Sequence, residues 1–108
     1  MPDAARFTTA DLLTTTAETW REFLRVDDLS LGIYTLEVGE TDEQAPHAED
    51  EIYVVLEGAA RLQAGDEDYE ARAGAILYVK AHVEHRFHDI TERLRSLVVF
   101  APAESDPS

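Results

Sequence analysis

The feature that most restricts this chain is its punctuation. From Trp20 onward, short segments rich in β-branched and aromatic residues alternate with turns at Asp27-Asp28, Gly39, Gly58, Gly65 and Gly74. Such side chains suit a pleated surface and lose rotamer freedom in a helix, so each segment reads as a strand. The segments cover residues 20–26, 30–38, 51–56, 60–64, 69–71, 76–79, 85–87 and 97–101. Gly58 is expected to close the third, and residues 65–68 to form a hairpin loop whose acidic tip, Asp66 to Glu70, is solvated. Seven or eight short strands with little helix predict an all-β sandwich or barrel.

The ends read differently. Thr8 or Thr9 is a candidate N-cap for a short helical turn at Ala10-Asp11-Leu12-Leu13, and the threonine run at 14–16 argues against a longer helix. Residues 103–108 read as a frayed acidic tail. With 108 residues the chain suits one domain, with an extension at 1–29 and a barrel core at 30–102. Several strands are apolar on both faces: Tyr53 and Val55 oppose Ile52, Val54 and Leu56, while Leu97 and Val99 oppose Val98 and Phe100. A small barrel buries one face of each strand, so a second layer is expected. Either the N-terminal segment or a second copy supplies it, and a homodimer through sheet faces is the preferred expectation.

Composition narrows the function. There is no cysteine, which removes disulfides, thiol nucleophiles and thiolate metal sites and leaves histidine and carboxylate as ligands. Nine Lys and Arg against 23 Asp and Glu give a net charge of −14, which repels nucleic-acid phosphates and anionic membranes. No apolar run reaches the roughly 20 residues that span a bilayer, and the first residues lack a basic-then-apolar leader pattern, so a cytoplasmic protein is expected. None of the four serines sits in a nucleophile elbow, and no phosphate-cradling glycine loop is present.

Chemistry concentrates in the stretch from Pro46 to Gly58. In extended chain, side chains two apart share a face, so His47, Glu49, Glu51 and Tyr53 project to one side and Asp50 and Ile52 to the other. His47 and Glu51 can meet a divalent ion if a third group arrives from elsewhere, and His85 is the candidate. Two imidazoles and a carboxylate leave coordination positions open, as metal-dependent catalysis requires. An acidic solvated loop followed by a buried strand is the alternative. His82 is expected in an exposed loop, and His88, of opposite parity to His85, outside the site. Trp20, Tyr34, Tyr78, Phe87 and Phe100 are expected in core or interface packing.

The same two segments resemble the paired motifs of the cupin superfamily, small double-stranded β-helix (jelly-roll) barrels. Gly39 opens the first motif, Glu51 and Gly58 have the required six residues between them, and His47 lies four before Glu51 at the place of the second motif histidine. Ala45 holds the place of the first. In the second motif Gly74, the five residues 75–79 and His85 are in register, while Lys80 stands for a proline, His82 for a glycine and Asp89 for an asparagine. The resemblance implies His47, Glu51 and His85 as metal ligands, with Glu49 or water in the position vacated at Ala45. It also implies a divalent transition metal (Zn, Fe, Mn, Ni or Cu) and a small-molecule ligand in the barrel. Glu49 and Tyr53 are then the candidate proton-transfer residues of an oxygenase, isomerase or cyclase; the alternative is a non-catalytic binding or sensing module.

Overall fold

Thr8 caps the N-terminal helix: its hydroxyl accepts the Asp11 amide at 3.1 Å and its carbonyl the Leu12 amide at 3.1 Å. In this computed structural model, which describes residues 3–14 and 18–105, helix α1 (Thr9–Thr14) precedes six strands. These are β1 (Trp20–Val26), β2 (Leu29–Leu36), β3 (Asp50–Ala64), β4 (Glu67–Arg72), β5 (Ile76–Val79) and β6 (His85–Ala101). Of the threonine run, Thr15 and Thr16 lie outside the described residues.

The strand count departs from expectation because two strands are long. Gly58 does not end a strand; β3 continues through it for 15 residues, and β6 runs 17 residues across the two segments expected to be separate. The pairing order is β1-β2-β6-β3-β4, with β5 on β3, all antiparallel. The first half of β3 pairs β5 and the last part of β6; its second half pairs β4 and the start of β6. Register shifts between Val55 and Arg61 mark where the ladder bends. The sheet thereby rolls onto itself as a jelly-roll barrel.

Gly58 sits at that bend with φ 98°, and a Cβ there would lie 2.0 Å from the carbonyl oxygen of Arg93 in β6. Only glycine permits so close a crossing of backbones. The core alternates within each half of the long strands and changes parity across the bend: Tyr53 and Val55 before it and Leu62 after it on β3, and Phe87 and then Leu94 and Val98 on β6, are each at most 1% exposed.

The opposite face of the sheet is only partly covered. Its cross-strand rows run Leu31–Val99–Ile52–Tyr78 and Ile33–Leu97–Val54–Ile76. Toward β2 the N-terminal segment reaches the sheet: buried Arg95 donates to the Leu13 carbonyl and to Thr35 Oγ1 (3.4 Å), 3.6 Å from Glu57, and Ile33 is buried. Toward β5, Ile52, Ile76 and Tyr78 remain 38%, 71% and 60% exposed.

The crossing at Gly58 generates a prediction. Gly58→Ala is expected to cost about 3 kcal/mol or more in urea unfolding, since left-handed strain and a backbone clash add. Gly74→Ala, at φ 95° with open space around it, is expected to cost roughly 1–2 kcal/mol. Equal costs would show that the crossing is not the constraint.

Candidate metal centre

The loop between β2 and β3 is held by a residue that the sequence reading passed over. Asp42, buried, accepts the Phe87 amide (2.8 Å), the Tyr34 hydroxyl (2.6 Å) and the Gln44 amide (3.0 Å). It ties the loop carrying His47 to the start of β6, which carries His85. From the other side the His82 amide donates to the His47 carbonyl at 2.7 Å. His82 does so with φ 68°, and Asp89 has φ 50°, so both take the left-handed backbone that glycine and asparagine, the motif residues they stand for, adopt most readily.

His47, Glu51 and His85 converge: one donor atom from each lies within 4.8 Å of the others. Donors on a single ion at bonds of about 2.1 Å stand at most roughly 4.2 Å apart, so a small side-chain adjustment separates this arrangement from a bound one. Glu51 and His85 are buried to side-chain exposures of 1%, with Nε2 3.0 Å from Glu51 Oε1. The angle is not that of a hydrogen bond, and both Glu51 oxygens and His85 Nε2 lack hydrogen-bond partners.

The tautomer explains the mismatch. His85 Nδ1 lies 2.8 Å from the Val83 carbonyl, which can only accept, so Nδ1 carries the proton. In the neutral ring Nε2 then has a lone pair and no proton to give the carboxylate. Burial lowers the pKa of His85, but Glu51 and the Val83 carbonyl outweigh it and leave it raised. With an ion bound, the Nε2 lone pair and a Glu51 oxygen become ligands. The donor set and its orphaned atoms therefore fit a divalent ion.

The remaining expected site residues fall into place around this group. Tyr53 is fully buried, and its hydroxyl contacts the Gln44 carboxamide at 3.1 and 3.2 Å; burial, then Glu51, raises its pKa well above the phenol range. Glu49 is buried, with Oε2 accepting the Ser105 amide at 3.2 Å, and its oxygens are outside the convergent group. Ala45 is exposed at the cavity wall. Asp50 points outward and accepts the Ala81 amide, and His88 pairs with Asp68 on β4.

A cavity of about 520 Å³ opens onto Glu51 and His47. Trp20, Tyr34 and Phe100, read from sequence as packing residues, line it. So does Glu104, from the segment read as a frayed tail. Glu104 is 6% exposed, its amide donates to Ser30 Oγ (3.0 Å), its carbonyl accepts from Arg25 (2.8 Å), and Oε2 lies 3.4 Å from His47 Nδ1. Residues 106–108 of that tail lie outside the described residues. Gln44 was also missed; its Oε1 lies 3.4 Å from His47 Nε2.

Comparison with known proteins agrees with this fold. Residues 32–100 match the cupin domain family. The chain belongs to that family. A cupin-sized stretch of 84 residues is 49% identical to an uncharacterized protein of Streptomyces coelicolor, covering 78% of this chain and 80% of that protein. An RmlC-like cupin from Methanocaldococcus jannaschii, with a double-stranded β-helix fold, superposes with a TM-score of 0.74 at 17% identity over 94% of this chain and 92% of that one. An iron(II)-bound HppE, solved with the alternative substrate (S)-1-HPP, superposes with a TM-score of 0.65 at 22% identity over 75% of this chain and 48% of that one. At such identities the structures establish a shared fold, and this cupin spans about half the length of HppE.

The buried carboxylates also set a pH dependence. Burial first, then the charges of Glu51, Glu49 and Glu22, pushes Glu104 up to about 7 from 4.5. A carboxyl raised in the fold contributes stability below its unfolded value and loses it as pH rises through the folded one. Chelator-treated Glu104→Gln is therefore expected to melt higher than the parent at pH 8 and close to it at pH 5. Parallel melting curves across that range would contradict the assignment.

Proposed function

We propose that this cupin is a metal-dependent enzyme that holds one divalent transition ion through His47, Glu51 and His85 and acts on a small molecule in the adjoining cavity. The observation that carries the reading is the buried, unpartnered meeting of Glu51 and His85 beside His47. Such polarity is costly unless something completes it. Bound there, the ion supplies Lewis acidity toward a carbonyl or enol oxygen, or a site for dioxygen, the chemistry of an oxygenase, isomerase or cyclase. Two neutral imidazoles and one carboxylate leave a divalent ion with a net charge near +1.

The chain's own groups have distinct parts. Val83 faces His85 Nδ1 and so leaves its Nε2 for the ion, while Glu104 and Gln44 flank the two ring nitrogens of His47 and hold that ring in place. Tyr53, held above the phenol range, donates a hydrogen bond rather than a proton at neutral pH. Glu49, on the cavity wall, is the carboxylate placed for proton transfer. The alternative function, a binding or sensing module without turnover, is favoured by Ala45, which removes one family ligand.

Metal analysis of the purified protein tests the centre. About one equivalent of ion per chain is expected, falling severalfold in His85→Ala and in Glu51→Gln; unchanged metal in both variants would sink it. Ala45→His is expected to tighten binding, measured by chelator competition. We also propose a homodimer through the exposed Ile52, Ile76 and Tyr78 face. Sedimentation equilibrium is expected to give a dimer that Ile76→Glu shifts toward monomer, and a monomeric parent would refute this assembly.

A further inference from the structure

The cavity beside the proposed centre carries one sign of charge. Glu43, Glu49, Glu51 and Glu104 line it, and among the described residues no lysine or arginine does. The aromatic rings of Trp20 and Phe100 also line it, packed edge to face with centroids 5.9 Å apart. An acidic lining alone is commonly solvated. What distinguishes this one is the Glu104 side chain, which is 7% exposed, with Oε1 buried and without any hydrogen-bond partner.

The groups nearest Glu104 do not complete it. Arg25 directs its guanidinium to the Glu22 carboxylate (2.8 and 3.1 Å) and to the backbone carbonyl of Glu104. His47 Nδ1 stands 3.4 Å from Oε2, at the limit of one weak hydrogen bond. Ser30 and Ser105 are engaged through the Glu104 amide and the Glu49 carboxylate. A buried carboxylate oxygen calls for a donor, and the donor best matched to a lining that also holds aromatic rings is a cation with N–H groups and a flat apolar body.

We propose that the cavity binds a small organic cation, an amidinium- or ammonium-bearing molecule, with its N–H groups on Glu104 and its apolar body against Trp20 and Phe100. This rests on the reading of the cavity as the ligand site of the metal centre, and it is independent of whether the ion is present. Carboxylate-bearing molecules of the same shape are disfavoured by Glu43, Glu49 and Glu104, the lining carboxylates that an ion at the centre does not take up.

Three planar isosteres test it: benzamidine, benzamide and benzoate, which carry positive, zero and negative charge. Each is titrated calorimetrically into the purified protein and into chelator-treated protein at pH 7.5, with metal content measured separately. Benzamidine is expected to bind about tenfold or more tightly than benzamide in both preparations, the ratio that one charge-assisted contact supplies. In Glu104→Gln, benzamidine is expected to lose that advantage while benzamide keeps its affinity. Benzamidine binding no better than benzamide or benzoate to the parent protein overturns the proposal, whether or not the variant folds. So does benzamidine affinity unchanged in a folded Glu104→Gln. Metal retained with no cation preference would defeat this inference and leave the centre standing; cation preference without metal would do the reverse.

Discussion

β3 and β6 have to cross at contact distance, and most of what this barrel can do depends on that crossing. Both strands are long, they pair along almost their whole length, and the ladder changes direction between Val55 and Arg61. Glu51 lies before the bend on β3, and His85 opens β6 beyond the other end of the ladder, where it is in register with Ala64. In a flat sheet the two would be far apart. Rolling the sheet about Gly58 brings their side chains to 3.0 Å across the interior. The fold's tightest steric constraint and its most polar buried contact are thus two ends of one geometry.

That contact would be a poor choice for stability alone. Two ionisable groups at 1% exposure, misaligned for a hydrogen bond, cost more in desolvation than they return. The surroundings make sense if the lone pairs are kept for a ligand. Val83 fixes the His85 tautomer, Asp42 fixes the loop that brings His47, and the segment after β6 folds back so that Glu104 meets His47 from outside. Val83 lies two residues before the ring it fixes and Asp42 in the same loop as His47, while Glu104 reaches His47 from the far end of the chain.

This distribution explains what the sequence could and could not disclose. Strand alternation put Glu51 and Tyr53 on one face and Asp50 on the other, which holds because all three lie in β3 before its bend; His47 and Glu49 precede the strand, so it is the loop and not alternation that places them. The bounds of β1 and β5 were legible too. The lengths of β3 and β6 were not: Gly58 looks like a turn glycine until its Cβ is seen to collide with Arg93, and the polar run 88–93 looks like a loop although it is paired strand. Glu104 and Asp42 carry no periodic signal at all. Their importance lies in contacts 45 or more residues away in sequence, such as Asp42 with the Phe87 amide. The spaced motifs reach further than local pattern because they relate distant residues: they name His47, Glu51 and His85 together, and those three side chains converge.

The most direct test of the central claim is a crystal structure of the metal-loaded protein with data collected on both sides of the metal's absorption edge. The account predicts one strong anomalous peak per chain, about 2.0–2.3 Å from His85 Nε2, from a Glu51 oxygen and from a His47 ring nitrogen. A cavity without such a peak, or a peak whose ligands exclude Glu51 and His85, would contradict it.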